Sequence, residues 1–278
     1  MPSYRPIYRR LAIMASMLWL CACQARPAPA MPTLPPPAPR ASATPPPTPA
    51  CSEPGTVRRA HVEQTARGYP YNYQIYLPPC YDEEATRQYP VVYLLPGRGG
   101  GPGQWFSAGA ATAADGAILD GMVAPLILVS TETIDADPNA TAIFDDLVPA
   151  IEREYRALAD RAHRAVAGGS LGGTGAYRLA LAHPNTFASA GLFGAGLISG
   201  EEAQLEVWLR ALPETSRPRF FFNTGFGDPL MLERAEVMVG LLNEAGLSTA
   251  TVFSDGEHDY GYWVSNFAAY LEWVAEDW

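Results

Sequence analysis

From Thr56 to the C-terminus, short β-rich apolar runs alternate with segments of helical spacing. Thr56–Thr65 and Tyr71–Leu77 read as a strand pair with Gly68 near the turn. Pro90–Leu95 and Pro125–Ser130 are compact apolar runs of strand length, and Arg164–Ala167, Phe187–Phe193, Arg219–Asn223 and Thr249–Phe253 continue the series. Between them, Asp145–Leu158 puts Leu147, Ile151, Tyr155 and Leu158 on one helical face, and Thr174–Ala182, Glu201–Leu212, Met231–Ala245 and Tyr262–Ala275 also read as helices. Such alternation predicts an α/β domain with a mostly parallel central sheet and helices on both faces.

What precedes this domain reads differently. Arg5, Arg9 and Arg10 come before an apolar run from Leu11 to Leu20, the layout of a secretory signal over residues 1–22. The run is short for a membrane span. It ends in Leu20-Cys21-Ala22-Cys23, which resembles a bacterial lipobox with Cys23 as the lipidated residue. An ordinary signal peptide with incidental cysteines is the alternative. Residues 23–50 hold eleven prolines between Pro27 and Pro49 and read as an extended linker. The catalytic domain is then 51–278, in the cell envelope or secreted. Cys51 and Cys80 are the only cysteines left in it, and export favours their pairing over two free thiols.

Composition removes several chemistries. All 19 basic residues are Arg, so the chain has no lysine for a Walker loop, a Schiff base or a Ser-Lys dyad. The net charge of −10 repels phosphate backbones and argues against nucleic-acid partners; any membrane contact is expected only through the lipid. The four histidines lack close ligand spacing, and no G-x-G-x-x-G occurs, so no metal and no cofactor is expected.

Gly168-Gly169-Ser170-Leu171-Gly172 matches G-x-S-x-G between an apolar strand and a helix. A serine on that sharp turn needs small neighbours, and the helix that follows points its N-terminus at developing negative charge. Ser170 is the expected nucleophile. His258, in a loop after the last strand, is the expected base; His61, His163 and His183 sit in a strand, a charged turn and a helix end. Asp228 follows the strand Arg219–Asn223 and is the expected acid, with a helix N-cap before Pro229 as its structural alternative. Asp255, Glu257 and Asp259 lie too close to His258 in sequence to orient it well. For the oxyanion, the expected donors are the Leu171 amide and those of Arg98 and Gly99 in the loop Pro96–Gly101. Trp105, Tyr260 and Trp263, with Phe106 and Tyr262, are expected either to line an aromatic substrate pocket or to belong to the core.

The series V-V-Y-L-L-P-G-x-G-G, then Trp105, D-L-V-P-A-I-E-R-E-Y-R, A-G-G-S-L-G-G, A-H-P-N-T-F and G-E-H-D-Y-x-x-W resembles the esterase D, or putative esterase, family of α/β-hydrolases. That group includes feruloyl esterases, enterochelin-type esterases, S-formylglutathione hydrolase and mycolyltransferases of the antigen 85 type. The resemblance spans Tyr71 to Trp278. It implies an α/β-hydrolase fold, a triad of Ser170, Asp228 and His258, and amide donors at Leu171 and Arg98. The chain departs from the family pattern where H-G or D-G is replaced by Pro96-Gly97, and where G-G-H-D-W is replaced by Gly256 to Tyr260. The resulting expectation is a serine ester hydrolase acting outside the cytoplasm on a small-molecule or polysaccharide-linked ester, a feruloyl or other aryl ester first. The alternatives are an acyltransferase of the same fold and a non-catalytic surface-binding lipoprotein.

Overall fold

The computed structural model of the chain describes residues 51–63, 70–132 and 142–278. The expected signal segment, Cys23 and the Pro-rich linker lie outside the described residues, as does the continuation of the first strand to Thr65. Among the described residues one eight-stranded sheet runs in the spatial order β1-β2-β4-β3-β5-β6-β7-β8. β1 (Thr56–Val62) and β2 (Tyr71–Leu77) are antiparallel, and β2 is antiparallel to β4 (Ile127–Thr131). β3 (Val91–Leu95), β5 (Arg164–Gly169), β6 (Ser189–Phe193), β7 (Arg219–Gly225) and β8 (Thr249–Ser254) all run parallel with β4. This is the α/β-hydrolase fold.

β3, β4 and β6 are buried along their whole length because helices cover both faces, which is why they read as unbroken apolar runs. Alternate residues still serve different cores: Val91, Tyr93 and Leu95 face one layer, Val92 and Leu94 the other. The first layer packs beneath α3 (Ala142–Glu154), α4 (Leu171–Ala182), α5 (Glu202–Ala211) and α6 (Pro229–Glu244). The second packs beneath α1 (Gln104–Ser107), α2 (Ala110–Leu119), α7 (Tyr260–Ser265) and α8 (Phe267–Ala275).

Four segments differ from the sequence reading. The helix expected over Asp145–Leu158 is α3, which ends at Glu154, so Tyr155 and Leu158 lie beyond it. α1 and α2 have no counterpart in it: the buried face of α2 is made of Ala110, Ala114, Ala117 and Ile118, correctly spaced but too small to stand out as an apolar stripe. The last helix is two helices, broken at Asn266. α4 begins at Leu171 rather than Thr174, so glycines 172 and 173 are helical rather than loop. Cys51 and Cys80 are disulfide-bonded, with Cα atoms 5.7 Å apart. Near them the Gly55 amide donates to Asp115 Oδ1 of α2 at 2.7 Å, and the Tyr76 hydroxyl donates to the same oxygen at 2.8 Å.

Candidate active site

Ser170 sits between β5 and α4 with φ 53° and ψ −119°, a conformation that costs a non-glycine residue about 1–3 kcal/mol. Its neighbours account for the glycine pattern. A Cβ on Gly168 would lie 2.2 Å from the carbonyl carbon of Gly172, and one on Gly172 would lie 2.3 Å from the Leu95 carbonyl oxygen. The turn is pinned by the Ser170 amide, which donates to the Phe193 carbonyl of β6 at 2.7 Å. The hydroxyl is thereby held up at the C-terminal edge of the sheet. Leu171 opens α4, so its N–H belongs to a first turn that lacks intrahelical acceptors.

His258 Nε2 lies 3.0 Å from Ser170 Oγ, and Nδ1 contacts Asp228 Oδ2. An ionised carboxylate only accepts, so Nδ1–H is the donor in that pair, which leaves Nε2 of a neutral imidazole free to accept the serine proton. The acid and the base come from adjacent strand ends: β7 delivers Asp228 and β8 delivers His258, in contact because the strands pair through Gly225 and Ser254. Gly225 permits this approach, since a Cβ there would meet the Gly256 carbonyl oxygen at 2.1 Å. The N-cap alternative for Asp228 also holds: its Oδ1 accepts from the Met231 amide at 3.3 Å at the start of α6. Two of the other nearby acids have places of their own. Asp259 caps α7 through the Tyr262 amide at 2.9 Å, and Glu257 lies over Gly227.

The remaining histidines have structural places. His61 pairs with Glu63 at 2.8 Å, His163 with Asp160, and His183 closes α4 through its amide to Leu179 O.

In the glycine loop, the Gly97 amide is already engaged by Tyr260 Oη at 2.8 Å and Gln104 Oε1 at 3.1 Å. Gly97 lies close to the nucleophile, a Cβ there falling 3.7 Å from Ser170 Cβ. Arg98 and Gly99 follow it, both exposed, Gly99 with φ +67°.

The expected aromatic pocket needs correction. Trp105 is 0% exposed and Trp263 2%; neither ring offers a face to solvent. The Trp105 indole donates to the Leu95 carbonyl at 2.9 Å and packs among Phe193, Tyr260 and Phe267. Trp263 meets the His258 ring edge-on at 5.1 Å. A Cβ on Gly194 would lie 2.6 Å from Trp263 and 3.0 Å from His258 Nδ1, so the space behind the imidazole is full. These tryptophans form the floor that holds the site rather than the wall that meets a substrate. Tyr260 stands between them with its hydroxyl turned to Gly97, Phe106 packs against the same core, and the Tyr262 hydroxyl donates to Thr224 O at 3.1 Å. Gln104 had no sequence signal: one polar residue after a run of glycines is unremarkable until the fold brings Tyr260 to it.

The chain is similar to several known proteins. A feruloyl esterase-bearing relative, the endo-1,4-beta-xylanase/feruloyl esterase of Xylanibacter ruminicola, is 26% identical over 226 residues, covering 75% of this chain and 30% of its own length. The chain spans 56% of the length of another curated relative, an uncharacterized protein of Corynebacterium glutamicum that is 26% identical over 239 residues. Among solved structures, a ferulic acid esterase superposes with TM-score 0.69 at 22% identity, covering 80% of this chain and 98% of the other. A family described as "Putative esterase" matches residues 65–208, which take in both the glycine loop and the Ser170 turn. The match runs over more than half of the chain, and the chain belongs to this putative esterase family.

Proposed function

We propose that the chain hydrolyses aryl carboxylic esters of the feruloyl type outside the cytoplasm, through an acyl-enzyme on Ser170. The observation that carries this is the unbroken line from Asp228 through His258 to Ser170 Oγ, with the serine on a strained turn at a helix N-terminus. His258 takes the hydroxyl proton as Ser170 attacks the ester carbonyl, and returns it to the leaving alcohol. Water then repeats the sequence on the acyl-enzyme. Leu171, with Arg98 or Gly99, supplies the amides that face the tetrahedral oxyanion.

Support for the aryl acyl group comes from similar proteins. The relative in Xylanibacter ruminicola carries feruloyl esterase in its name, and a ferulic acid esterase is among the solved structures that share this fold. Support for an exported site comes from the Cys51–Cys80 disulfide together with the basic-then-apolar N-terminus ending at Cys23.

The test is hydrolysis of methyl ferulate beside short p-nitrophenyl esters, for the wild type and Ser170→Ala, with and without a sugar as acyl acceptor. A wild-type preference for methyl ferulate that vanishes in the variant supports the reading. Acyl-sugar in place of free acid would favour an acyltransferase. Equal inertness of both proteins on every ester would overturn the proposal.

A further inference from the structure

The glycine loop and the histidine loop are far apart in sequence and meet in one closed ring of hydrogen bonds. The Gly97 amide donates to Tyr260 Oη at 2.8 Å and to Gln104 Oε1 at 3.1 Å, and the Tyr260 hydroxyl donates to that same Gln104 oxygen at 3.0 Å. The other polar atom of Gly97 is also held: its carbonyl accepts from the Gly100 amide at 3.0 Å. Arg98 and Gly99 are therefore the two central residues of a tight turn that starts at Gly97. The left-handed Gly99, φ +67°, fits the third position of a type II turn.

A loop containing Gly97, Gly99, Gly100 and Gly101 has wide conformational freedom. Amides in such a loop stabilise an oxyanion only if their direction is fixed before the reaction. Fixing both polar atoms of Gly97 fixes the direction of the two amides that follow. Gly97 cannot itself serve the oxyanion, because its N–H is spent on the ring.

The anchor is rigid. The Tyr260 ring meets Trp105 edge-on at 5.1 Å and Trp263 at 4.7 Å, and it lies two residues after His258 at the start of α7, whose N-cap is Asp259. Burial pushes the Tyr260 hydroxyl up to about 12, so it keeps its proton to donate to Gln104. Two of the residues in the segments that depart from the family pattern, Gly97 and Tyr260, form this contact.

We propose that Tyr260 is a positioning residue for ester hydrolysis: with Gln104 it clamps Gly97, so that the Arg98 and Gly99 amides point at the oxyanion while the same helix start holds His258. The proposal rests on the reading of Ser170 as nucleophile.

Tyr260→Phe removes the hydroxyl and leaves the ring, and Gln104→Ala removes the other half of the clamp. We would measure kcat and KM on p-nitrophenyl acetate for each variant and for the pair. Beside them we would measure inhibition by an alkyl trifluoromethyl ketone, whose adduct with the serine places an oxyanion in the hole. The expected result is a fall in kcat of about 10- to 100-fold for each single variant with KM within about threefold, the range that misplaced catalytic groups produce. The ketone should weaken by a similar factor, and the double variant should be no worse than the poorer single one.

Unchanged kcat in Tyr260→Phe would overturn the clamp. So would a raised KM at constant kcat, which would make Tyr260 a substrate contact. A loss of kcat that follows a lowered melting temperature while ketone affinity holds would also overturn it, as a purely structural role. Ser170→Ala run in parallel separates the two readings: activity surviving in that variant defeats the nucleophile assignment, whereas an inert Ser170→Ala beside fully active Tyr260→Phe and Gln104→Ala defeats only the clamp.

Discussion

One oxygen of Asp228 contacts His258 Nδ1 while the other accepts the Met231 amide at 3.3 Å. A single carboxylate therefore orients the imidazole and caps α6, and the two duties can be separated by substitution. Asparagine caps a helix nearly as well as aspartate but cannot hold the imidazole in the required tautomer. Asp228→Asn is expected to lower kcat by about 10⁴-fold with the melting temperature almost unchanged. Asp228→Ala should lose activity to a similar degree and about 1 kcal/mol of stability as well. Steady-state kinetics beside thermal unfolding of both variants checks the split.

Ser170 is held at φ 53°, where glycine is at ease and alanine is not. Both Ser170→Gly and Ser170→Ala should be inactive, by roughly 10⁴- to 10⁶-fold. The glycine variant should nevertheless be more stable than the alanine variant by about 1 kcal/mol or more, as strain at the turn is relieved. Equal stability of the two in urea would show that the turn carries no strain.

Trp105, fully buried and bonded to Leu95, should act on stability rather than specificity. Trp105→Ala is expected to cost about 3–5 kcal/mol. Comparing KM across aryl and alkyl esters for the milder Trp105→Phe gives the check: a KM change selective for aryl esters would return this ring to the substrate pocket.

The Tyr260 hydroxyl is pushed up to about 12 by burial, with the Gly97 amide acting in the opposite direction. Its ordinary value is about 10, so the folded state holds this proton more tightly than the unfolded chain. The associated stability is complete below about pH 10 and is lost as the pH rises through about 12. Wild-type activity should thus show no fall between about pH 8 and 10 that Tyr260→Phe removes. A pH–rate profile of the two proteins decides it.

Much of the sheet could be read from the chain because its central strands β3, β4 and β6 are buried on both faces. Tyr71–Leu77 coincides with β2, and the core strands Pro90–Leu95 and Phe187–Phe193 differ from β3 and β6 only at their first residues. The Ala-rich α2 escaped because its inward residues carry little apolar surface, although their spacing is helical. The break at Asn266 escaped because Tyr262–Ala275 is apolar on both sides of it. At the site, Ser170 announces itself through local crowding, which a pentapeptide can encode. The burial of Trp105 and Trp263 is set by what packs against them from distant segments, Phe193, Phe267 and His258, and no local pattern carries that information.

The disulfide bears on more than stability. A loop closed by residues 29 apart restricts the unfolded chain, and replacing both cysteines by serine is expected to cost about 3–4 kcal/mol while leaving kcat intact. A calorimetric scan with kinetics on the same sample tests both halves.

The same bond also sets a polarity. Thr56 pairs with Leu77, and β2 runs antiparallel to β4, so the chain joins the sheet at the pole where the parallel strands begin. Ser170 stands at the pole where they end. Cys51 and Cys80 rivet the entering chain to that far pole. Whatever enters the domain through Cys51 therefore joins it at the pole opposite Ser170, and the catalytic rim is left clear of the chain's point of entry.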